Sequence, residues 1–447
     1  MGTSLYEFTL HKFKLSRTYK LAVFGLLLAL FLLLITRNVS SEPYVYDEAD
    51  YMYAASLGFA ANWSDTPSIT LADFARAGHD ARGELSRRIR DSNDVLFYRH
   101  FHGPLFYYLL MPLAAIGLGE HGVRTVLLAI PCASVAVVYF GSQSWLAALL
   151  FLCSYSVTRS TELAPHQLFA LFALGSLILL LKAVRTADRR YCYGSIVLAA
   201  LAFCTLEVAF VLLATLAICC FAERRRWSAD GWFTAKSIAL FLGTVLAVWP
   251  AALLRLSFVK AYAVLAYLSL WRANAWGSEG FAEAWRSRIF SSPAEWILIL
   301  IGTILYLRKR GAIYPLGVFA ALMLVATLRV VTVTPRYSLA FVPELDLLAG
   351  LALVPSLGPL RRPASFAVVT LAVAGLYGNA WYQTIHRAHN PNPHSAAVVT
   401  YIHQNKLENK AVLAPQADIP TLHYYFPRMR LRGDSGPSPG PIREAKF

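Results

Sequence analysis

Apolar residues fall along the chain in long unbroken runs, not in the alternation of a half-buried strand or the three-to-four spacing of a surface helix. A bilayer-crossing helix needs about 20 such residues, somewhat fewer where a bundle thins the bilayer. Residues 21–36, 123–140, 164–182, 234–253, 293–307, 313–328, 338–354 and 365–382 qualify. Residues 145–157 and the two runs flanking Glu207 are short. Residues 104–118 are shorter than they look, since 15 helical residues rise only about 22 Å. A membrane barrel would alternate apolar and polar positions, so the pattern predicts an all-α polytopic membrane protein.

Composition agrees. In 447 residues, 57% hydrophobic and 15% charged with mean hydropathy +0.49 exclude a soluble globular surface and a disordered chain. The 26 glycines carry no collagen period. The six cysteines lie in or beside apolar runs and read as packing residues, without disulfide or zinc spacing. The first apolar run lacks a small-residue cleavage site and is expected to be a retained span.

The formal charge of +15 would suggest nucleic acid in a soluble protein, but here it resolves into compact clusters. These are Lys12, Lys14, Arg17 and Lys20; Lys182, Arg185, Arg189 and Arg190; Arg224, Arg225 and Arg226; Arg308, Lys309 and Arg310; and Arg361 with Arg362. Each is expected on the cytoplasmic side, and no nucleic-acid partner is implied. The bookkeeping predicts about eleven transmembrane helices, the N-terminus inside and the C-terminus outside. It requires a turn-back near Glu207 within residues 193–221. It also requires that one of two segments, 104–118 or 145–157, does not cross.

The resulting organisation is a cytoplasmic N-terminus (1–20), a transmembrane domain (21–382) and a small outer C-terminal segment (383–447). The first outer loop, 37–103, holds ten acids and seven arginines, so it is no polybasic patch, and 71–90 suggest amphipathic helices on the bilayer. The second, 255–292, carries Tyr262, Tyr267, Trp271, Trp276 and Trp285, an interfacial belt or a sugar-stacking surface. The C-terminal segment reads as α/β-like: a helix at 395–405, a strand at Ala411–Pro415 and an apolar turn at 422–426. It is small enough to need packing on the first loop. Residues 435–441, rich in Pro and Gly, read as disordered.

Chemistry concentrates on the outer face. Asp47, Glu48 and Asp50 follow the first span directly, which suits a general base or a metal cluster, and equally suits capping of the next helix. Arg99, His100 and His102 stand at the loop's far end, where they are phosphate ligands, metal donors together with Asp47 and Glu48, or ordinary interfacial polar residues. Arg336, just before an apolar helix, is a headgroup ligand or a snorkelling anchor. Glu207 and Glu162 lie at outer turns, and a charged residue inside an apolar run is functional by default. Glu344 and Asp346 are expected to pair with Arg336 or cap its helix.

Asp47-Glu48, Tyr51, His102-Gly103-Pro104-Leu105 and Arg336-Tyr337 before Pro343, in this order, resemble the GT-C superfamily. More closely they resemble its protein O-mannosyltransferase and aminoarabinose transferase branch, glycosyltransferase family 39. The resemblance runs from the first span into the outer tail. It implies the GT-C fold and a cavity at the outer face of a bacterial inner membrane. It implies transfer of a sugar from a polyprenyl phosphate to a hydroxyl of a lipid, glycan or protein, usually with inversion. By position Asp47 would be the base and Glu48 its neighbour. Arg336, with His102 and Arg99, would meet the donor phosphate, and Tyr51, His100, Glu162, Glu207 and Tyr337 would line the site. A divalent metal is the one cofactor considered. The chain departs from the family pattern at Gly103, where a proline is common, at Glu207, where a lysine is frequent, and at Glu162, where relatives often carry aspartate. The competing reading is a transporter or flippase of a lipid-linked anion.

Overall fold

A computed structural model describes residues 16–45, 47–59, 102–227, 231–254, 285–286, 289–309, 313–327, 335–353, 363–386, 393–415, 418–434 and 443–444. Arg99, His100, the stretch 71–90, the aromatic positions of 255–284 and residues 435–441 lie outside that description.

The first helix, α1 (Arg17–Ile35), starts where the Ser16 side chain accepts the Tyr19 amide, and it continues through a 3-10 turn to Asn38. A short α2 (Asp47–Leu57) follows. After Pro104 come α3 (Leu105–Ala115), α4 (Glu120–Leu127) and α5 (Ala129–Ser142), then α6 (Trp145–Cys153), broken at Ser154 from α7 (Tyr155–Arg159). Next are α8 (Pro165–Thr186), α9 (Arg189–Phe203), α10 (Ala209–Ala222), α11 (Gly231–Val248) and α12 (Pro250–Leu254). The bundle ends with α13 (Pro293–Lys309), α14 (Tyr314–Thr327), the single turn α15 (Pro335–Ser338), α16 (Val342–Leu353) and α17 (Pro363–His386).

Among the described residues four stretches are long and apolar enough to cross a bilayer: Arg17–Asn38, Glu120–Ser142, Pro165–Thr186 and Gly231–Val248. Of these, α8 is the central post, with 78% of its apolar window buried against 11% for α11. The exposed apolar residues of α11 therefore face lipid. The chain is an integral membrane protein of mostly helical, polytopic architecture.

Hydrogen bonds between helix ends show which segments run from one end of the bundle to the other. The end of α5 meets the start of α1 through Tyr139 and the Lys20 carbonyl, while the opposite end of α1 meets α7 through Asn38 and the Thr158 carbonyl at 2.7 Å. The pair α6–α7 therefore runs the length of the bundle. Both ends of α3 remain at the Asn38 end: Leu105 donates to the Cys204 carbonyl at the α9–α10 turn, and the next helix opens with Glu120 bonded to Tyr425. Segment 104–118 is thus the one that starts and finishes at the same end, and 145–157 passes through. The 193–221 stretch turns back at residues 204–208, with Glu207 at the apex.

A terminal lobe docks at that same end: α18 (Pro393–Gln404), β1 (Ala411–Pro415), α19 (Ile419–Tyr425), β2 (Arg430–Asp434) and β3 (Arg443–Glu444). Strand β1 is central, parallel to β2 from Ala411↔Arg430 to Pro415↔Asp434 and antiparallel to β3 at Val412↔Glu444. Val398, Ile402, Val412, Leu422 and Phe426 form its own small core.

Candidate functional site

Helix α2 opens with Asp47, Glu48 and Asp50 in its first turn, where carboxylates meet the positive end of the helix dipole. One turn separates Asp47 from Tyr51, so both stand on one face. Arg336 is carried by α15, 289 positions away, and its Nη2 donates to Asp47 Oδ2 at 2.8 Å. The same nitrogen donates to the Tyr337 hydroxyl at 3.2 Å, and Nε is 3.9 Å from Glu162 Oε1. Asp47, Glu162, Arg336 and Tyr337 therefore form one assembly. Burial pushes the Glu162 carboxyl above its ordinary value; Arg336 opposes this, and the charges of Glu48 and Asp47 add to it. Among the described residues Arg336 Nε is buried and has no hydrogen-bond partner, Glu162 Oε1 standing beyond hydrogen-bond reach.

A second pair adjoins the first. His102 Nδ1 lies 3.0 Å from Glu207 Oε2, and the Tyr51 ring stands 6.0 Å from the His102 ring and 5.4 Å from Phe106. Gly103 makes the pairing possible: a Cβ there would collide with the Cys204 carbonyl, so a bare backbone is what lets His102 lie against the Glu207 turn. Glu207 thus partners His102 where relatives are expected to present a lysine.

Burial disfavours the His102 imidazolium, but the Glu207 carboxylate and, beyond it, Asp47 lift the ring above its ordinary pKa, with Arg336 opposing. A raised value favours the protonated ring in the folded state. The stabilisation is fully present below the ordinary imidazole value of about 6.5 and is lost as pH rises through the raised folded value. Glu207→Gln is expected to destabilise the protein by about 1.5–3 kcal/mol in mildly acidic buffer, with the difference from wild type shrinking as pH rises. Thermal unfolding in detergent across a pH series measures it.

Glu48 has a different role from its neighbour. Arg124 of α4 grips both of its oxygens, Nε at 3.1 Å and Nη2 at 2.7 Å, and the Leu163 amide donates to Oε1 at 2.8 Å. Arg124 also donates to the carbonyls of Ser40 and Glu42. Glu48 and Arg124 are each 3% exposed, which makes this a buried pair tying α2 to the segment that carries Glu162. Sequence reasoning passed over Arg124. The signal was present: an arginine in the first turns of an apolar helix must find a carboxylate if it is buried.

Glu344 and Asp346 do not pair with Arg336, which takes Asp47 instead. Both are buried in α16, with Ser154 and Glu295 beside Asp346. Of the metal donors considered, His100 is outside the description. Asp47, Glu48 and His102 are engaged by Arg336, Arg124 and Glu207. Among the described residues no three His, Cys, Asp or Glu stand together as a metal set. The chemistry below uses side chains alone. The Cys192 and Cys220 sulfurs approach to 3.7 Å, and all six thiols are free.

No family model and no curated protein sequence matches the chain. Solved structures do. ArnT from Cupriavidus metallidurans in the apo state aligns over 94% of this chain and 87% of its own, with 13% identity and a TM-score of 0.61. The same protein bound to undecaprenyl phosphate aligns over 95% and 87%, with 14% identity and a TM-score of 0.62. The Archaeoglobus fulgidus oligosaccharyltransferase in the apo form aligns over 94% of this chain and 65% of its own, with 14% identity and a TM-score of 0.58. The chain thus shares the overall fold of these two proteins over nearly its whole length, a GT-C-like helical architecture.

Proposed function

We propose that the protein transfers a sugar from a polyprenyl-phosphate donor to an acceptor hydroxyl at the outer membrane face. The carrying observation is the Asp47–Arg336 ion pair: a carboxylate and a permanent cation from opposite halves of the chain meet at the end of the bundle where its polar residues gather. A polyprenyl chain of dozens of carbons costs about 0.8 kcal/mol per CH₂ to draw from lipid, so its phosphate must be met at the bilayer surface. The similarity to a structure bound to undecaprenyl phosphate supports this class of partner.

In this reading Asp47 takes the proton of the acceptor hydroxyl as its oxygen bonds to the anomeric carbon. The bond from that carbon to the phosphate oxygen breaks, and the electron pair leaves with polyprenyl phosphate. Attack opposite the leaving group inverts the configuration. Arg336 stabilises the charge gained by the phosphate. His102, held by Glu207, adds positive charge beside the donor, and Tyr51 and Tyr337 wall the site. Glu48 acts through position rather than contact. In this reading the N-terminus is cytoplasmic, and the site and residues 383–447 lie outside.

Membranes containing the protein are to be incubated with several labelled polyprenyl-phosphate sugars, and the products analysed by mass and anomeric configuration. Sugar on a new hydroxyl with free polyprenyl phosphate is expected. Movement of the carrier lipid across the membrane without any transfer overturns the proposal.

A further inference from the structure

We infer that the C-terminal lobe is a working part of the site, with Tyr425 and Thr421 as positioning residues for Asp47, an inference that rests on the role given to Asp47 above. The two residues lie one turn apart on one face of α19. The Tyr425 hydroxyl accepts the Tyr44 amide at 2.9 Å and donates to Glu120 Oε1 at 2.6 Å. Thr421 Oγ1 donates to the Tyr44 carbonyl at 3.2 Å. A single lobe helix thus holds both backbone polar groups of Tyr44, three residues ahead of Asp47. Burial and Glu120 push the Tyr425 phenol up, so it keeps the proton that it donates.

The contact continues inward. The Tyr44 ring is 1% exposed, edge-on to Tyr424 at 5.5 Å, with the Arg124 guanidinium 5.1 Å from its centre. Arg124 grips Glu48, and Glu48 accepts the amide of Leu163, the residue after Glu162. Val45, which follows Tyr44, accepts the Glu48 amide at 2.9 Å and so fixes the first turn of α2. His423 stacks edge-on against Tyr53 at 4.4 Å, so α19 touches α2 a second time, beyond its start. The lobe is thereby joined to both carboxylates that flank Arg336. Reacting groups must be placed to within about 1 Å, and an error of that size costs about 100-fold in rate. Two separate chain segments, α19 and α4, therefore converge on Tyr44 to hold the start of α2.

Tyr425→Phe keeps the ring and removes both hydroxyl bonds. In the full-length protein it is expected to lower kcat for sugar transfer about tenfold, within that limit, with the donor KM unchanged. Amide exchange is expected to accelerate across residues 47–57 and to stay at the wild-type rate in α18. Thr421→Val, which removes the other bond at nearly constant shape, should act in the same direction and serves if the first variant does not fold. Wild-type exchange in 47–57 for both variants overturns the inference, as does acceleration spread equally over α2 and α18, which would mark a merely structural contact. Absence of transfer by the wild-type protein would sink the role of Asp47, whereas the exchange measurement still judges the clamp.

Discussion

Asp47→Asn is expected to slow sugar transfer by about 10²- to 10⁴-fold, the range for loss of a general base. Asparagine fills the same space at the start of α2 but accepts no proton. Its effect on donor binding should run the other way. Arg336 Nη2 now spends a hydrogen bond on Asp47 at 2.8 Å, and neutralising that partner frees the guanidinium for the phosphate. Affinity for farnesyl phosphate, a short polyprenyl phosphate, should therefore hold or rise while turnover collapses. Turnover and equilibrium binding on the same preparation test both halves. Transfer at the wild-type rate would remove Asp47 from the chemistry.

Arg124→Leu should be the most damaging substitution for stability. It strands the Glu48 carboxylate, 3% exposed, and withdraws the donors that hold the Ser40 and Glu42 carbonyls. Breaking a buried pair from one side costs about 3–5 kcal/mol, a large part of the 5–15 kcal/mol by which folded proteins typically exceed unfolding. Replacing both partners, Arg124→Leu with Glu48→Leu, should recover much of this, because no charge is then left uncompensated. Thermal unfolding of the single and double variants in detergent reads the difference. A single variant as stable as wild type would show that Glu48 is solvated.

The comparison between chain and fold is uneven, for physical reasons. Helices such as α1, α8 and α11 were legible because lipid demands uninterrupted apolar length. The turn at Glu207 was legible because basic clusters constrain the parity of crossings. The choice between 104–118 and 145–157 was not, since the number of apolar residues does not say whether a helix is surrounded by lipid or by protein. The strand at Ala411–Pro415 could be read locally, but its parallel partner could not, because β2 follows a helix. Within the site, the order of Asp47, His102 and Arg336 on one face pointed to a single assembly. The pairing of His102 with Glu207 depends on Gly103 fitting against Cys204, a steric fact with no signature in residue type. Arg124 carries no mark in the sequence that sets it apart from other basic residues near span ends, and only its burial beside Glu48 shows its role.

Helix α6 has eight consecutive buried residues, Leu146 to Cys153. Ala147 packs so closely on α16 that a Cβ at Gly350 would strike its backbone, and Gly302 of α13 meets Ala349 in the same way. A helix sheathed by others on every side has no hydrophobic length to match, so thinning or thickening the bilayer should strain α11 and leave α6 untouched. The reaction end of the molecule would then keep its shape in membranes of differing lipid composition, with the outermost helices absorbing the change by tilting.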